Sequence, residues 1–266
     1  MKVLIIGFGN MGKTYANSFI SSRFIKPEDI YVLVRDISKS SNEYHIPVVN
    51  FFEIPSRNIS DFDIVILAVK PQDFEDLASS IQPFLSQNQI LFSVMAGVPI
   101  SAIESKLGCS KIVRSMPNIP TQIGMGMTVF SASSAVDRKE LFIIQNLINT
   151  TGKSVYVENE KLINAATAIS GSGPAYVFYF MKSMIQAAVQ LGFNESEAEL
   201  LVNQTFMGSV AIQNTNSLSN QEWITKVASK GGTTESALKV FEQNLLEQNI
   251  IKAIQAANDR ALELGK

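Results

Sequence analysis

Hydrophobic positions follow one rhythm through the first 158 residues and another after them. In the first part, short apolar runs of strand length recur between stretches of helical spacing. Residues 3–6, "IYVLV" at 30–34 and "DIVILAV" at 63–69 are such runs, with a shorter one at 46–49. "QILFSVM", "KIVRSM", "MGMTVF" and "SVYVE" continue the series. Helical spacing covers residues 10–20, 71–81, 99–107 and 137–149, and Pro71 suits a first helical turn. Strands that alternate with helices predict a mainly parallel sheet covered on both faces. Near-continuous apolar strands fit burial on both sides.

After residue 158 the strand pattern stops. Helices are expected over 159–169 and over 174–191, the latter ended by Gly192. Asn194 with Glu197, and Ser219 with Glu222, have capping-box spacing and open two more. A last helical stretch follows Thr234, with a bend near Asn249. The reading is an α/β protein: a doubly wound dinucleotide-binding domain over 1–158 and an all-helical domain over 159–266. In helix 174–191, apolar residues cover nearly the whole circumference and leave a stripe of Lys182, Gln186 and Gln190. Such a helix must be buried. A helical domain of this size has little interior to bury it, so a subunit partner is expected. The alternative is the central core helix of a monomer.

Composition narrows the function. The chain has 266 residues, 46% hydrophobic and 17% charged, with a formal net charge of −2. That balance lacks the basic excess of a nucleic-acid binder. One cysteine, Cys109, excludes an internal disulfide, reads as a small buried hydrophobe and fits a reducing compartment. With one cysteine and one histidine, His45, the scattered carboxylates lack ligand spacing, and no metal site is expected. The N-terminal apolar run is too short for a secretory signal. Nothing reaches the roughly 18 consecutive apolar residues of a membrane span. The expectation is a cytoplasmic protein with neither membrane nor nucleic acid as partner.

The chemistry begins at Gly7, Gly9 and Gly12, a G-x-G-x-x-G turn between the first strand and the first helix. The first glycine permits the tight turn, the second lets backbone approach a pyrophosphate, and the third lets helix pack on strand. The helix N-terminus adds free N–H groups. At the end of the second strand, Arg35 precedes Asp36. An arginine there suits the 2′-phosphate of NADP, and NADPH is the expected cofactor, with NADH the alternative. Val69, Lys70 and Pro71 end another strand and border the same crevice; Asn118 offers a donor and an acceptor to a nicotinamide or ribose. In the helical half, Ser229, Gly231, Gly232, Thr233 and Thr234 precede a helix. Threonine is a good N-cap and the glycines are expected to leave N–H groups open to a carboxylate.

Together GFGNMG (7–12), AVKP (68–71), SMPN (115–118), TAISGSGPAY (167–176) and ASKGGTTESAL (228–238) resemble pyrroline-5-carboxylate reductase. The resemblance runs along the whole chain, and its last two motifs are the specific ones. It implies reduction of Δ1-pyrroline-5-carboxylate to L-proline by hydride from NAD(P)H, and a helical C-terminal domain that forms a homodimer, often within a larger assembly. It places Gly7, Phe8, Gly9, Asn10, Met11 and Gly12 at the pyrophosphate. Val69, Lys70 and Pro71 fall at the adenosine and ribose, and Asn118 at the nicotinamide end. Ser229, Gly232 and Thr233 take the substrate carboxylate, and Thr234 the ring nitrogen. Lys230 stands where many members have proline. Two alternatives share the plan: another imine reductase or hydroxyacid dehydrogenase, and a non-catalytic dinucleotide-binding relative. A hydroxyacid enzyme needs a lysine acid–base, and Lys161 and Lys182 have no supporting motif.

Overall fold

The apolar runs of the first half become β1 (Val3–Ile6), β2 (Ile30–Leu33), β3 (Phe51–Phe52), β4 (Ile64–Leu67), β5 (Ile90–Ser93), β6 (Ile112–Met116), β7 (Gly126–Ala132) and β8 (Gly152–Tyr156). They lie in one sheet of a computed structural model that describes residues 1–39, 45–215 and 217–264. The strand order is β3-β2-β1-β4-β5-β6-β7-β8. Neighbours from β3 through β6 are parallel; β7 runs antiparallel to β6, and β8 parallel to β7. The order turns back on itself between β1 and β4, which opens a crevice at the carboxyl ends of those two strands.

Helices α1 (Asn10–Ser21), α2 (Phe74–Ile81), α3 (Ile100–Leu107) and α4 (Arg138–Asn149) cover the sheet. Successive β1 side chains point to opposite faces, and two cores result. Val3 and Ile5 join Tyr15, Ala16 and Phe19 of α1 and Ile144, Leu147 and Ile148 of α4. Leu4 and Ile6 join Phe74, Ala78 and Ile81 of α2 and Ile103 and Leu107 of α3. Burying each such side chain contributes about 1.5–3 kcal/mol, so strands apolar on both faces are held from both faces. Cys109 lies in the second core, where burial pushes its thiol pKa up.

Two local expectations change. The strand expected over 46–49 lies later, at Phe51–Phe52; Val48–Asn50 form a 3-10 turn instead. Pro47 has no N–H for a ladder, and the Asn50 amide donates to the Glu28 and Ile30 carbonyls at 3.1 and 2.9 Å, fastening the turn. The bend expected near Asn249 falls at Leu245, whose φ is 53°. There the Asn244 amide donates to the Val240 carbonyl at 2.8 Å and the Asn249 amide donates to the Asn244 carbonyl at 3.2 Å, bracing the corner.

After β8 the chain is helical: α5 (Leu162–Ala166), a π-helical turn (Thr167–Gly171), α6 (Gly173–Gln190), α7 (Glu195–Gln213), α8 (Asn220–Val227), α9 (Thr233–Gln243) and α10 (Leu246–Leu264). Asn194 with Glu197 and Ser219 with Glu222 form the expected capping boxes. One compact unit comprises Met1–Ser172 with the segment from Ala257 onward; Gly173–Ala256 form a second. Within the second, α6 packs on α7. No α6 residue is buried, and Phe178 and Tyr179 are 61% and 70% exposed. The chain therefore does not use α6 as a monomer's core helix. Among the described residues no helix is long and apolar enough to cross a membrane.

Candidate active site

The glycine turn leaves β1 at the point where the strand order reverses. Gly7 has a φ of 91°, and a Cβ there would lie 2.8 Å from the Ala68 carbonyl oxygen, so only glycine fits. Its N–H donates to the Leu33 carbonyl at 3.0 Å, which ties the turn to β2. A Cβ on Gly12 would lie 2.1 Å from the Gly7 carbonyl oxygen; α1 can approach the turn only because that Cβ is missing. Gly9 differs. It is the N-cap residue of α1, and among the described residues nothing lies within 4 Å of where its Cβ would be. That open space, beside first-turn N–H groups without intrahelical acceptors, is what an approaching phosphate requires. Asn10 and Met11 form the first turn of α1. Phe8 turns inward onto Phe51, edge to face at 5.5 Å, so only its backbone serves the turn.

A cavity of about 520 Å³ opens in front of this turn, lined in part by Gly7, Gly9, Arg35, Val69 and Lys70. Pro71 starts the 3-10 turn Pro71–Asp73 that leads into α2, and it does not line the cavity. Three acidic residues not anticipated from the sequence, Glu53, Asp73 and Asp76, share the wall. Arg35 Nη2 lies 2.6 Å from Asp73 Oδ1. Glu53 Oε1 accepts the Ile37 N–H at 2.7 Å. For Asp73 one signal exists in the residue order: it stands two residues after the proline that opens a helix at the carboxyl end of β4.

Asn118 lies outside the cavity wall, and its carboxamide is engaged at both ends by the protein. Oδ1 accepts the Met127 N–H at 2.9 Å, and Nδ2 donates to the Ser170 carbonyl at 3.0 Å. It pins the π-helical turn to the end of β6. A Cβ on Gly171 would lie 2.7 Å from Met116 Cε, whereas one on Gly173 would meet nothing within 4 Å among the described residues. The first of these glycines therefore serves packing against β6, and the second leaves space. Nearby, Glu160 Oε1 accepts from Arg114 Nη1 at 2.8 Å and from the Ile100 N–H at 2.9 Å, and Arg114 Nη2 donates to Asn164 Oδ1 at 2.9 Å.

In the second unit the Ser229–Thr234 loop departs from expectation in two ways. The N-cap of α9 is Gly232, with no side-chain cap, so Thr233 and Thr234 begin the helix rather than cap it. The two glycine N–H groups are also not open. Gly231 donates to Glu235 Oε2 at 2.6 Å and Gly232 to the Ser229 carbonyl at 3.0 Å. Glu235 is the third residue of α9 and reaches back across the turn, as a capping-box glutamate does. That N–H, then Lys239, hold its carboxyl below the usual carboxylate range. The Gly231 φ of 74° sustains the turn, and a Cβ on Gly232 would lie 2.5 Å from Ser229 Oγ.

Known proteins resemble the whole chain. Residues 160–264 match a family described as pyrroline-5-carboxylate reductase dimerisation, and residues 2–97 one described as NADP oxidoreductase coenzyme F420-dependent. A pyrroline-5-carboxylate reductase of Staphylococcus saprophyticus is 32% identical over 267 residues, covering 100% of this chain and 98% of that protein. The structure of a pyrroline-5-carboxylate reductase from Coxiella burnetii superposes with a TM-score of 0.91 at 33% identity, covering 100% of this chain and 98% of the other. That of the Plasmodium falciparum pyrroline carboxylate reductase with NADP bound gives 0.89 at 29% identity, with the same coverage.

Proposed function

This chain belongs to the pyrroline-5-carboxylate reductase family, and we propose that it reduces Δ1-pyrroline-5-carboxylate to L-proline with NADPH, the last step of proline biosynthesis. The observation that carries the reading is the Gly7–Gly12 turn at the strand-order reversal, with open space at Gly9 facing a cavity.

The residues present fit a dinucleotide. Gly7, Phe8, Gly9, Asn10, Met11 and Gly12 supply backbone at the pyrophosphate, Val69 and Lys70 border the adenosine and ribose, with Pro71 set back outside the cavity wall, and Arg35 faces the 2′-phosphate. The cofactor, when bound, supplies the hydride. The balance is one hydride to the imine carbon and one proton to the ring nitrogen, giving the amine and NADP⁺. A protonated C=N already accepts hydride, so the protein's work is orientation, which contributes several kcal/mol. Ser229, Gly231, Gly232 and Thr233 take the substrate carboxylate. For Gly231 this means exchanging the Glu235 carboxylate for the substrate's, and for Gly232 giving up the Ser229 carbonyl. Thr234 orients the ring nitrogen. Asn118 serves the nicotinamide end through the π-helical turn it pins, as a positioning residue.

Residues 1–158 serve dinucleotide binding and 159–266 substrate binding and dimerisation, although 159–172 and the segment from Ala257 onward pack with the first compact unit. The exposed apolar side chains of α6 support a homodimer through the helical domain, with larger assemblies built from that dimer. The cytoplasm is the proposed location.

Consumption of NADPH on addition of pyrroline-5-carboxylate tests the reaction. Gly9→Asp is expected to abolish cofactor binding, and Thr234→Ala to lower turnover or substrate affinity with cofactor binding kept. A wild-type protein that binds NADPH but leaves this imine unreduced overturns the proposal.

A further inference from the structure

Asp73 ends the 3-10 turn that runs into α2, with helical φ and ψ of −91° and −4°, and its carboxylate makes no cap bond. Here the carboxylate turns to Arg35, 2.6 Å away. Arg35 is the residue at the end of β2 that would meet a 2′-phosphate, and it shares the cavity wall with Asp73, Asp76 and Glu53.

We propose that Asp73 sets the nucleotide preference of this site by holding Arg35 and placing a negative charge where the 2′-phosphate must arrive, so that discrimination in favour of NADPH over NADH is restrained. The inference rests on the reductase reading and adds a specificity-determining residue to it. A phosphate monoester carries close to two negative charges and seeks a bidentate arginine. To reach Arg35 it must displace or share the Asp73 carboxylate. Side-chain exposures of 77% for Arg35 and 30% for Asp73 make the pair weak and exchangeable, so it biases binding without blocking it. NADH has ribose hydroxyls in place of that phosphate, and an acidic wall suits them. The charges on this wall are Arg35 and Lys70 against Glu53, Asp73 and Asp76.

The test is titration of NADPH and of NADH onto the full chain, without substrate, followed by nicotinamide fluorescence. The proteins are wild type, Asp73→Asn, Asp76→Asn, Arg35→Ala and the Arg35→Ala/Asp73→Asn double variant. Asparagine has the shape of aspartate, and the Asp73 carboxylate makes no cap bond to lose, so Asp73→Asn keeps the fold. Asp73→Asn is expected to tighten NADPH by about fivefold, the upper range for an exposed ion pair, and to leave NADH within a factor of about two. Asp76→Asn shifts the ratio less, and in the Arg35→Ala background the Asp73→Asn effect shrinks to the relief of charge repulsion alone, well below the full shift. An unchanged NADPH-to-NADH ratio in Asp73→Asn, or the same shift without Arg35, overturns this inference alone. Binding of neither dinucleotide by the wild type overturns the reductase reading and this inference with it.

Discussion

The carboxamide of Asn118 donates to the Ser170 carbonyl at 3.0 Å, across 52 residues of chain, while its oxygen accepts the Met127 N–H at 2.9 Å. One side chain thus joins the end of β6, the start of β7 and the π-helical turn ahead of α6. In Asn118→Asp the acceptor is kept and the donor is replaced by an oxygen facing the Ser170 carbonyl. Leaving that carbonyl unpaired is expected to cost about 1–3 kcal/mol of stability. It should also speed amide exchange at Ser172, whose N–H bonds to the Thr167 carbonyl at 2.8 Å within the turn. Wild-type stability together with wild-type exchange at Ser172 would refute the pin.

Gly9 and Gly12 separate binding from folding. Gly12→Ala puts a Cβ 2.1 Å from the Gly7 carbonyl oxygen, so the backbone itself must move, and a loss of roughly 1–3 kcal/mol is expected. Gly9→Ala meets nothing within 4 Å among the described residues and should melt like the wild type while weakening dinucleotide binding. Melting temperature and NADPH affinity, measured on both variants, decide it. Equal stability for the two contradicts the assignment.

Glu160 ties β6 to the start of α3 through one oxygen, and Arg114, its partner, is only 4% exposed. Replacing Glu160 with glutamine leaves a buried guanidinium without its counter-charge, at a cost of roughly 3 kcal/mol in urea unfolding. Arg114→Met in the Glu160→Gln background removes that charge and should recover much of the loss. A double variant no better than the single one argues against charge as the cause.

The Glu235 carboxyl is held below its usual range first by the Gly231 N–H and then by Lys239. A depressed folded-state pKa means the contribution is complete above the ordinary value of 4.5 and is lost as pH falls through the folded-state value. Gly231 amide protection is therefore expected to hold at neutral pH and to fall in acid below that ordinary value, and Glu235→Gln should flatten the profile. Protection independent of pH in the wild type would exclude the Glu235 carboxylate as the acceptor that matters.

Elements whose signal is local are legible in the residue order. Val3–Ile6 and Ile64–Leu67 are continuous apolar runs, and they are the central buried strands. The Asn194 and Ser219 caps are spelled by residues three apart. Gly7, Gly9 and Gly12 announce their turn because each requirement acts within a few residues of backbone. The strand near residue 50 escapes its apolar run because its position depends on Asn50 reaching Glu28 and Ile30. The bend lies a few residues ahead of Asn249 because that asparagine braces the corner without being its strained residue.

The residue order alone determined the alternation of strands and helices, the glycine turn and the apolar excess of α6, since periodicity and steric size are properties of neighbouring residues. Tertiary structure decided which charges and amides meet: Arg35 with Asp73, Asn118 with Ser170, Arg114 with Glu160. Each pair lies dozens of residues apart, and whether two polar groups neutralise each other or stay available to a ligand is settled by ångström-scale distance, which no local pattern encodes.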